Sequence, residues 1–273
     1  DKLVVTVDRA EPWATPDAAA LDATTLACWL DRRVHTDQAR MFHEIAAAAV
    51  FAAEPDTMSL LHWLSYIAAG NGLERVLGTQ GGAQQDRVVA GTWRISERLA
   101  EELGDTVILS APVRRITWGD DGATVETDAG TYEADRAIVA VPPNLAGRID
   151  YEPALPVRRD QLTQQLPHGQ VIKVMVAYDE PWWRAEGLNG QAASAVGPVG
   201  ITFDNTVPGH DPGILVGFYE GNHALYWGEK TPTARRQAFV DCLVRWFGPK
   251  AASPIDYVER DWTAEAWTRG CYG

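Results

Sequence analysis

The sequence predicts a mixed α/β and α+β fold in which helical and sheet segments interleave along the chain. Three observations predict it: helix signals fill the first hundred residues, the apolar period changes to two at Thr106, and further apolar strands follow a proline-rich polar crossing. Taken in order, residues 37–53 are alanine-rich and favour helix. Asp56 is the expected cap of a helix over 57–69, which Gly70 closes. Gly70-Asn71-Gly72 and Gly78-Thr79-Gln80-Gly81-Gly82 read as loops. Ile95, Leu99 and Leu103 then repeat every fourth residue, and Gly104 stops that helix.

Beyond Thr106, short strands are expected at 107–109, 113–118, 123–127 and 131–134. Asp120-Asp121-Gly122 and Asp128-Ala129-Gly130 supply the later turns. Residues 136–141 (Arg-Ala-Ile-Val-Ala-Val), ended by Pro142-Pro143, read as a strand buried on both faces in a parallel sheet. Residues 170–178 and 214–218 form apolar strands, with 224–227 a shorter one. Thr231 caps a helix with Pro232 at its first position, an apolar stripe of Phe239, Val240, Leu243, Val244 and Phe247, and Gly248 as its stop. A last strand covers 257–261.

The chain has 273 residues, 46% aliphatic or aromatic and 22% charged, the composition of a soluble globular protein with room for two domains. Net charge is −13, and the arginines come in scattered pairs rather than one basic face, which argues against nucleic acid as a partner. The acidity favours cationic ligands slightly. Three widely spaced cysteines make no disulfide framework and fit a reducing compartment; with no secretory signal, the expected location is cytoplasmic. The histidines have no metal-site spacing. The longest apolar stretch, 45–53, is half a membrane span, so no membrane segment is expected. The first residue is Asp1 and the last follows Cys271-Tyr272 directly, which reads as a piece of a longer protein.

Hydrolase and phosphate motifs are absent: Gly70-Asn71-Gly72-Leu73-Glu74-Arg75 has Arg75 where a dinucleotide loop needs its third glycine. Two features carry chemistry. Lys173 interrupts the apolar run Val171-Ile172-Lys173-Val174-Met175-Val176, either as a buried ammonium that needs a partner or water, or as an edge-strand lysine reaching solvent. Cys271 and Tyr272 sit in a glycine-flanked turn, where the thiol is either a site residue or a small buried hydrophobe.

Several segments, in order, resemble the flavin-containing amine oxidase family of the monoamine oxidase type. They are Gly81-Gly82-Ala83-Gln84-Gln85-Asp86-Arg87-Val88-Val89-Ala90-Gly91 with Ile95-Ser96-Glu97-Arg98-Leu99, then Ala140-Val141-Pro142-Pro143. Val171-Ile172-Lys173 with Glu180-Pro181-Trp182-Trp183-Arg184 follows, and then Gly270-Cys271-Tyr272. The resemblance runs from about residue 8 to the end of the chain. It implies a substrate domain of mixed sheet and helices, interleaved with part of a Rossmann-like FAD domain. Its expected segments are 1–88 (substrate domain), 89–162 (FAD domain), 163–264 (substrate domain) and 265–273 (the start of a last FAD-domain segment). The family's glycine-rich loop and C-terminal FAD segment have no counterpart here, and Arg269 stands where the covalent-flavin peptide has glycine.

The implied cofactor is FAD, with a covalent bond through Cys271 and non-covalent binding as the two alternatives. The implied reaction, in the complete enzyme, is oxidative deamination of primary or simple secondary amines, with oxygen, to aldehyde, ammonia and hydrogen peroxide; this fragment alone is expected to be inactive. An L-amino-acid or polyamine oxidase and a non-catalytic fragment are the alternatives, and a homodimer is left open. By resemblance, Lys173 holds a water against the flavin and Tyr272 is one wall of an aromatic cage. Trp262 packs near the flavin, with a plain core tryptophan as the competing reading. Val113 contacts the adenine end through its backbone. Leu77, Gln84, Ile201 and Phe218 line the substrate cavity, Leu77 as a gate facing Ile201.

Overall fold

A computed structural model describes residues 2–272. The helices are α1 (Ala18–Asp22), α2 (Leu26–Arg33), α3 (Asp37–Phe51), α4 (Leu60–Ala69), α5 (Leu73–Leu77), α6 (Trp93–Leu103), α7 (Pro143–Ala146), α8 (Val157–Gln165), α9 (Trp182–Ala185), α10 (Asn222–Gly228) and α11 (Pro232–Phe247). The strands are β1 (Val113–Gly119), β2 (Gly122–Thr127), β3 (Gly130–Ala134), β4 (Asp150–Glu152), β5 (Val171–Tyr178), β6 (Ala192–Ala193), β7 (Ile201–Asp204), β8 (Gly213–Glu220) and β9 (Asp256–Asp261). They divide into two compact units, one of residues 2–83 with 169–272, the other of 84–168.

The larger unit holds two cores. In the helical one, Leu26 and Leu30 of α2, Ala46, Ala47, Val50 and Phe51 of α3, and Leu60, Trp63, Leu64 and Ile67 of α4 pack together. Side-chain oxygens of Thr25, Thr36 and Ser59 accept the amides of Cys28, Ala39 and His62, which start these helices. The expected cap at Asp56 is therefore corrected to Ser59. Amides of Leu26 and Leu60 bond to Met58 and Thr24 carbonyls, so residues 58–59 are held extended and the helix starts later.

The second core is a five-stranded antiparallel sheet, order β6-β7-β8-β5-β9, with α11 laid across one face. Thr231 caps α11 and Pro232 opens it, as its sequence signals indicate. Ile172, Val174 and Val176 of β5 meet Phe239, Leu243 and Phe247 of α11. Each such fully buried aliphatic or aromatic side chain contributes about 1.5–3 kcal/mol of transfer free energy. Residues 224–227 were expected as a strand but belong to helix α10. Gly221, at φ 56°, turns the chain after β8, and the Glu54 carboxylate accepts the Asn222 amide at the helix start. A short apolar run does not by itself distinguish helix from strand.

The smaller unit is a four-stranded sheet, order β3-β2-β1-β4, with β1 and β4 parallel and both hairpin turns as expected. Its helix α6 has the predicted apolar stripe, yet Ile95, Leu99 and Leu103 are all exposed. Two strand expectations fail here. Residues 107–109 and 136–141 pair with no strand among the described residues, and Ile138 is 92% exposed. A strand exists only where a neighbour completes its hydrogen bonds, and apolar sequence cannot substitute for one. No helix among the described residues is long and apolar enough to cross a membrane.

Candidate active-site face

Alternation along β5 assigns each residue to a face. Ile172, Val174, Val176 and Tyr178 lie under α11, whereas Lys173, Met175 and Ala177 point the other way and are only half-buried. Antiparallel partners share a face, so Phe218, opposite Lys173, and Val216, opposite Met175, join them. On β7, Phe203 pairs with Val216, and Ile201 shares its facing two residues away. This face, the one away from α11, gathers Lys173, Phe218 and Ile201. The strand of Lys173 lies between β8 and β9, so the edge-strand alternative for this lysine is excluded. Its Nζ sits 5.8 Å from the Phe218 ring centroid. Opposite Lys173 on β9 stands Arg260, whose guanidinium pairs with Glu265 and lies 5.6 Å from the Trp262 ring centroid.

The terminal segment is tied to the same end of the sheet by main-chain bonds. The Trp262 amide donates to Val171 O at 3.1 Å, Gly270 donates to Trp262 O at 2.8 Å, and Cys271 donates to Gly169 O at 3.1 Å. Gly169 has to be glycine: a Cβ there would lie 2.0 Å from Phe51 O. Burial pushes the Cys271 thiol up, while the Lys173 ammonium draws it down. Burial likewise raises the Tyr272 phenol, with Glu220 and Cys271 adding to the shift. Lys173, Phe218, Trp262, Cys271 and Tyr272 are thus brought to one region. Arg269 takes φ 54°, the left-handed conformation that glycine adopts without cost, and the Cys271–Tyr272 peptide is cis. Gly273, which closes this turn in the sequence, lies outside the described residues.

The other candidates are elsewhere. Leu77, the last residue of α5, packs against the helical core, whereas Ile201 belongs to the sheet. Gln84 is exposed in a turn of the smaller unit. Val113 opens β1 of that unit, paired with Thr127 next to a register shift. No group of three or more His, Cys, Asp or Glu among the described residues suits a metal ion.

One residue went unremarked in the sequence. Glu220 ends β8 on the Lys173 face, opposite Val171, and is 6% exposed. Its Oε1 has no hydrogen-bond partner among the described residues, and burial pushes its pKa up to about 8. The signal was present: a lone acid closes the run Ile214-Leu215-Val216-Gly217-Phe218-Tyr219, as Lys173 interrupts its own strand.

The family model for flavin containing amine oxidoreductases matches residues 1–273. The chain belongs to that family. It is 40% identical over its whole length to the probable flavin-containing monoamine oxidase A of Dictyostelium discoideum, spanning 60% of that relative. Among solved structures it resembles a putrescine oxidase bound to putrescine, with TM-score 0.92, 36% identity and coverage of 100% of this chain and 61% of that one. It also resembles the cyclohexylamine oxidase of Brevibacterium oxydans, with TM-score 0.91, 34% identity and coverage of 99% and 60%. The chain therefore spans about three-fifths of these relatives. For the flavin of this family, the donor set on the face away from α11 fits: an ammonium, a thiol and aromatic rings beside a glycine-tied turn can line a flat, electron-accepting ring.

Proposed function

We propose that this chain carries the amine-facing part of an FAD-dependent oxidase that converts primary or simple secondary amines, with oxygen, to aldehyde, ammonia and hydrogen peroxide. One observation carries the reading. Lys173, Phe218, Trp262, Cys271 and Tyr272 lie at one side and adjoining end of a sheet whose opposite face is sealed by α11. Bound flavin supplies the two-electron chemistry, accepting hydride from the amine and returning electrons to oxygen.

The chain's own residues orient the amine, fix charge and exclude water. Tyr272 presents its ring to the amine nitrogen and directs the α C–H. Lys173 holds a water and a fixed positive charge where negative charge develops. Phe218 and Ile201 wall the approach and keep it dry. Cys271 would be the attachment point for FAD, and Trp262 would pack beside its ring. Residues 89–162 and 265–273 belong to the FAD domain in this reading, and residues 1–88 and 163–264 to the substrate domain.

A diamine or amino-acid substrate would need an acid for its distal ammonium or a cation for its carboxylate. Asp204 and Glu186 are both engaged: Asp204 accepts from Trp183 and Arg184 at 2.9 and 2.7 Å, and Glu186 pairs with Lys250. Glu220 is the acid on the Lys173 face with an oxygen left unpartnered among the described residues. The complete, flavin-loaded enzyme should release peroxide and aldehyde from a simple primary amine such as benzylamine. Peroxide from L-amino acids and none from any monoamine would overturn the reading. Acid precipitation tests the attachment: flavin should stay in the pellet, and Cys271→Ala should move it to the supernatant.

A further inference from the structure

Glu220 is the one carboxylate side chain fully buried among the described residues, and the reading above leaves it unused. Its place is defined by backbone. It pairs with Val171 on the Lys173 face, and the following amide, Gly221, donates to Gln170 O at 2.9 Å. The next carbonyl along, Gly169 O, holds the Cys271 amide, so the terminal segment meets the sheet at the Glu220 end. Gly200 leaves space beside the carboxyl, since even an added Cβ would lie 3.9 Å from Oε2. The charged and titratable groups around it are Lys173 on β5, Cys271 and Tyr272 on the terminal segment, and Glu54, which accepts the Asn222 amide.

Two burials oppose each other in such a site. An unpaired carboxylate out of water is costly, and so is an ammonium. Seated together, each offsets part of the other's penalty, and either one left alone is the costly state. Lys173 already places one cation on this face, so a second cation entering alone would meet repulsion.

We propose that Glu220 is a positioning residue for cationic amines: a neutral carboxylic acid in the empty site, it releases its proton to solvent as an ammonium seats against Tyr272, and its carboxylate then balances that charge. This rests on the amine-oxidase reading and deepens it, because it selects amines that arrive as cations. Burial supports the neutral resting state, since the acid pushed up to about 8 is protonated at neutral pH.

The probe is benzyltrimethylammonium, a cation that can neither lose a proton nor be oxidised. Calorimetry of the flavin-loaded protein at pH 7, in buffers of different ionisation enthalpy, should show close to one proton released per cation bound. Affinity should rise by up to about tenfold per pH unit from 6 to 8. Glu220→Gln, which keeps the shape of the neutral acid, should release none and lose the pH slope. For primary amines it should raise KM more than it lowers kcat. No proton release by the wild type, or equal release by Glu220→Gln, overturns the proposal. If the variant fails to fold, the wild-type proton count and slope decide alone. Wild-type protein that makes peroxide from benzylamine without proton linkage removes only the role of Glu220; no peroxide removes the amine-oxidase reading itself.

Discussion

The two faces of the five-stranded sheet are built from alternate residues of the same strands and have opposite characters. Beneath α11, Ile172, Val174, Leu215 and Tyr219 are sealed. The charged pair there is closed: the Arg235 guanidinium holds Glu259 and donates to Lys230 O at 2.6 Å, and the Tyr219 hydroxyl donates to Arg235 O at 2.6 Å. The other face carries a lysine, a carboxyl with an unpartnered oxygen, and half-buried Met175 and Phe218. One face is closed by α11, and the other keeps a buried carboxyl oxygen without a partner among the described residues. Period-two alternation lets stability and chemistry occupy a single strand without sharing side chains.

That contrast predicts separable effects. The largest belongs to the sealed face: Arg235→Leu strands Glu259 without its partner and should cost about 3–5 kcal/mol in denaturant unfolding. Leu243→Ala should cost about 2–5 kcal/mol by opening a cavity under β5. Neither should alter the pH profile of amine binding, and a changed profile would break the division between faces.

On the face away from α11, Lys173→Met should leave the unfolding midpoint nearly unchanged. It should slow reoxidation by oxygen about a hundredfold, the scale of losing one preorganised electrostatic group. Stopped-flow traces that separate the half-reactions check this, and equal slowing of both would count against a charge placed for reoxidation.

Glu220 should make the ligand-free protein less stable as pH rises. Its folded pKa of about 8 lies above the ordinary glutamate value of 4.5, so its stabilising protonation is complete below the lower value. It is lost through the window up to the upper one, at about 1.4 kcal/mol per pH unit. Wild type should therefore lose ground against Glu220→Gln between pH 5 and 8 in paired urea titrations. The smallest effect is a gain. Arg269→Gly relieves a left-handed arginine and should stabilise the terminal turn by about 1 kcal/mol, read as a higher melting temperature.

The sequence by itself determined the elements whose signals are local. Thr231, Pro232 and Gly248 bound α11, alternation marks β5 and β8, and Asp-x-Gly turns close the β1-β2-β3 hairpins, because caps, periods and turns act over a few residues. It also carried the family resemblance and the oddity of Lys173 within an apolar strand. Only the tertiary structure decided what depends on distant partners. The Thr24–Leu60 bond moved the start of α4 from the Asp56 cap to Ser59, and Glu54 met α10 from across the chain. Residues 107–109 and 136–141 were apolar enough for strands but found no neighbour among the described residues. The interior place of β5 made Lys173 a residue of a covered sheet rather than an edge, and the same packing buried Glu220. Hydrogen-bond partners and burial are properties of pairs far apart in sequence, which is why composition and period alone could not supply them.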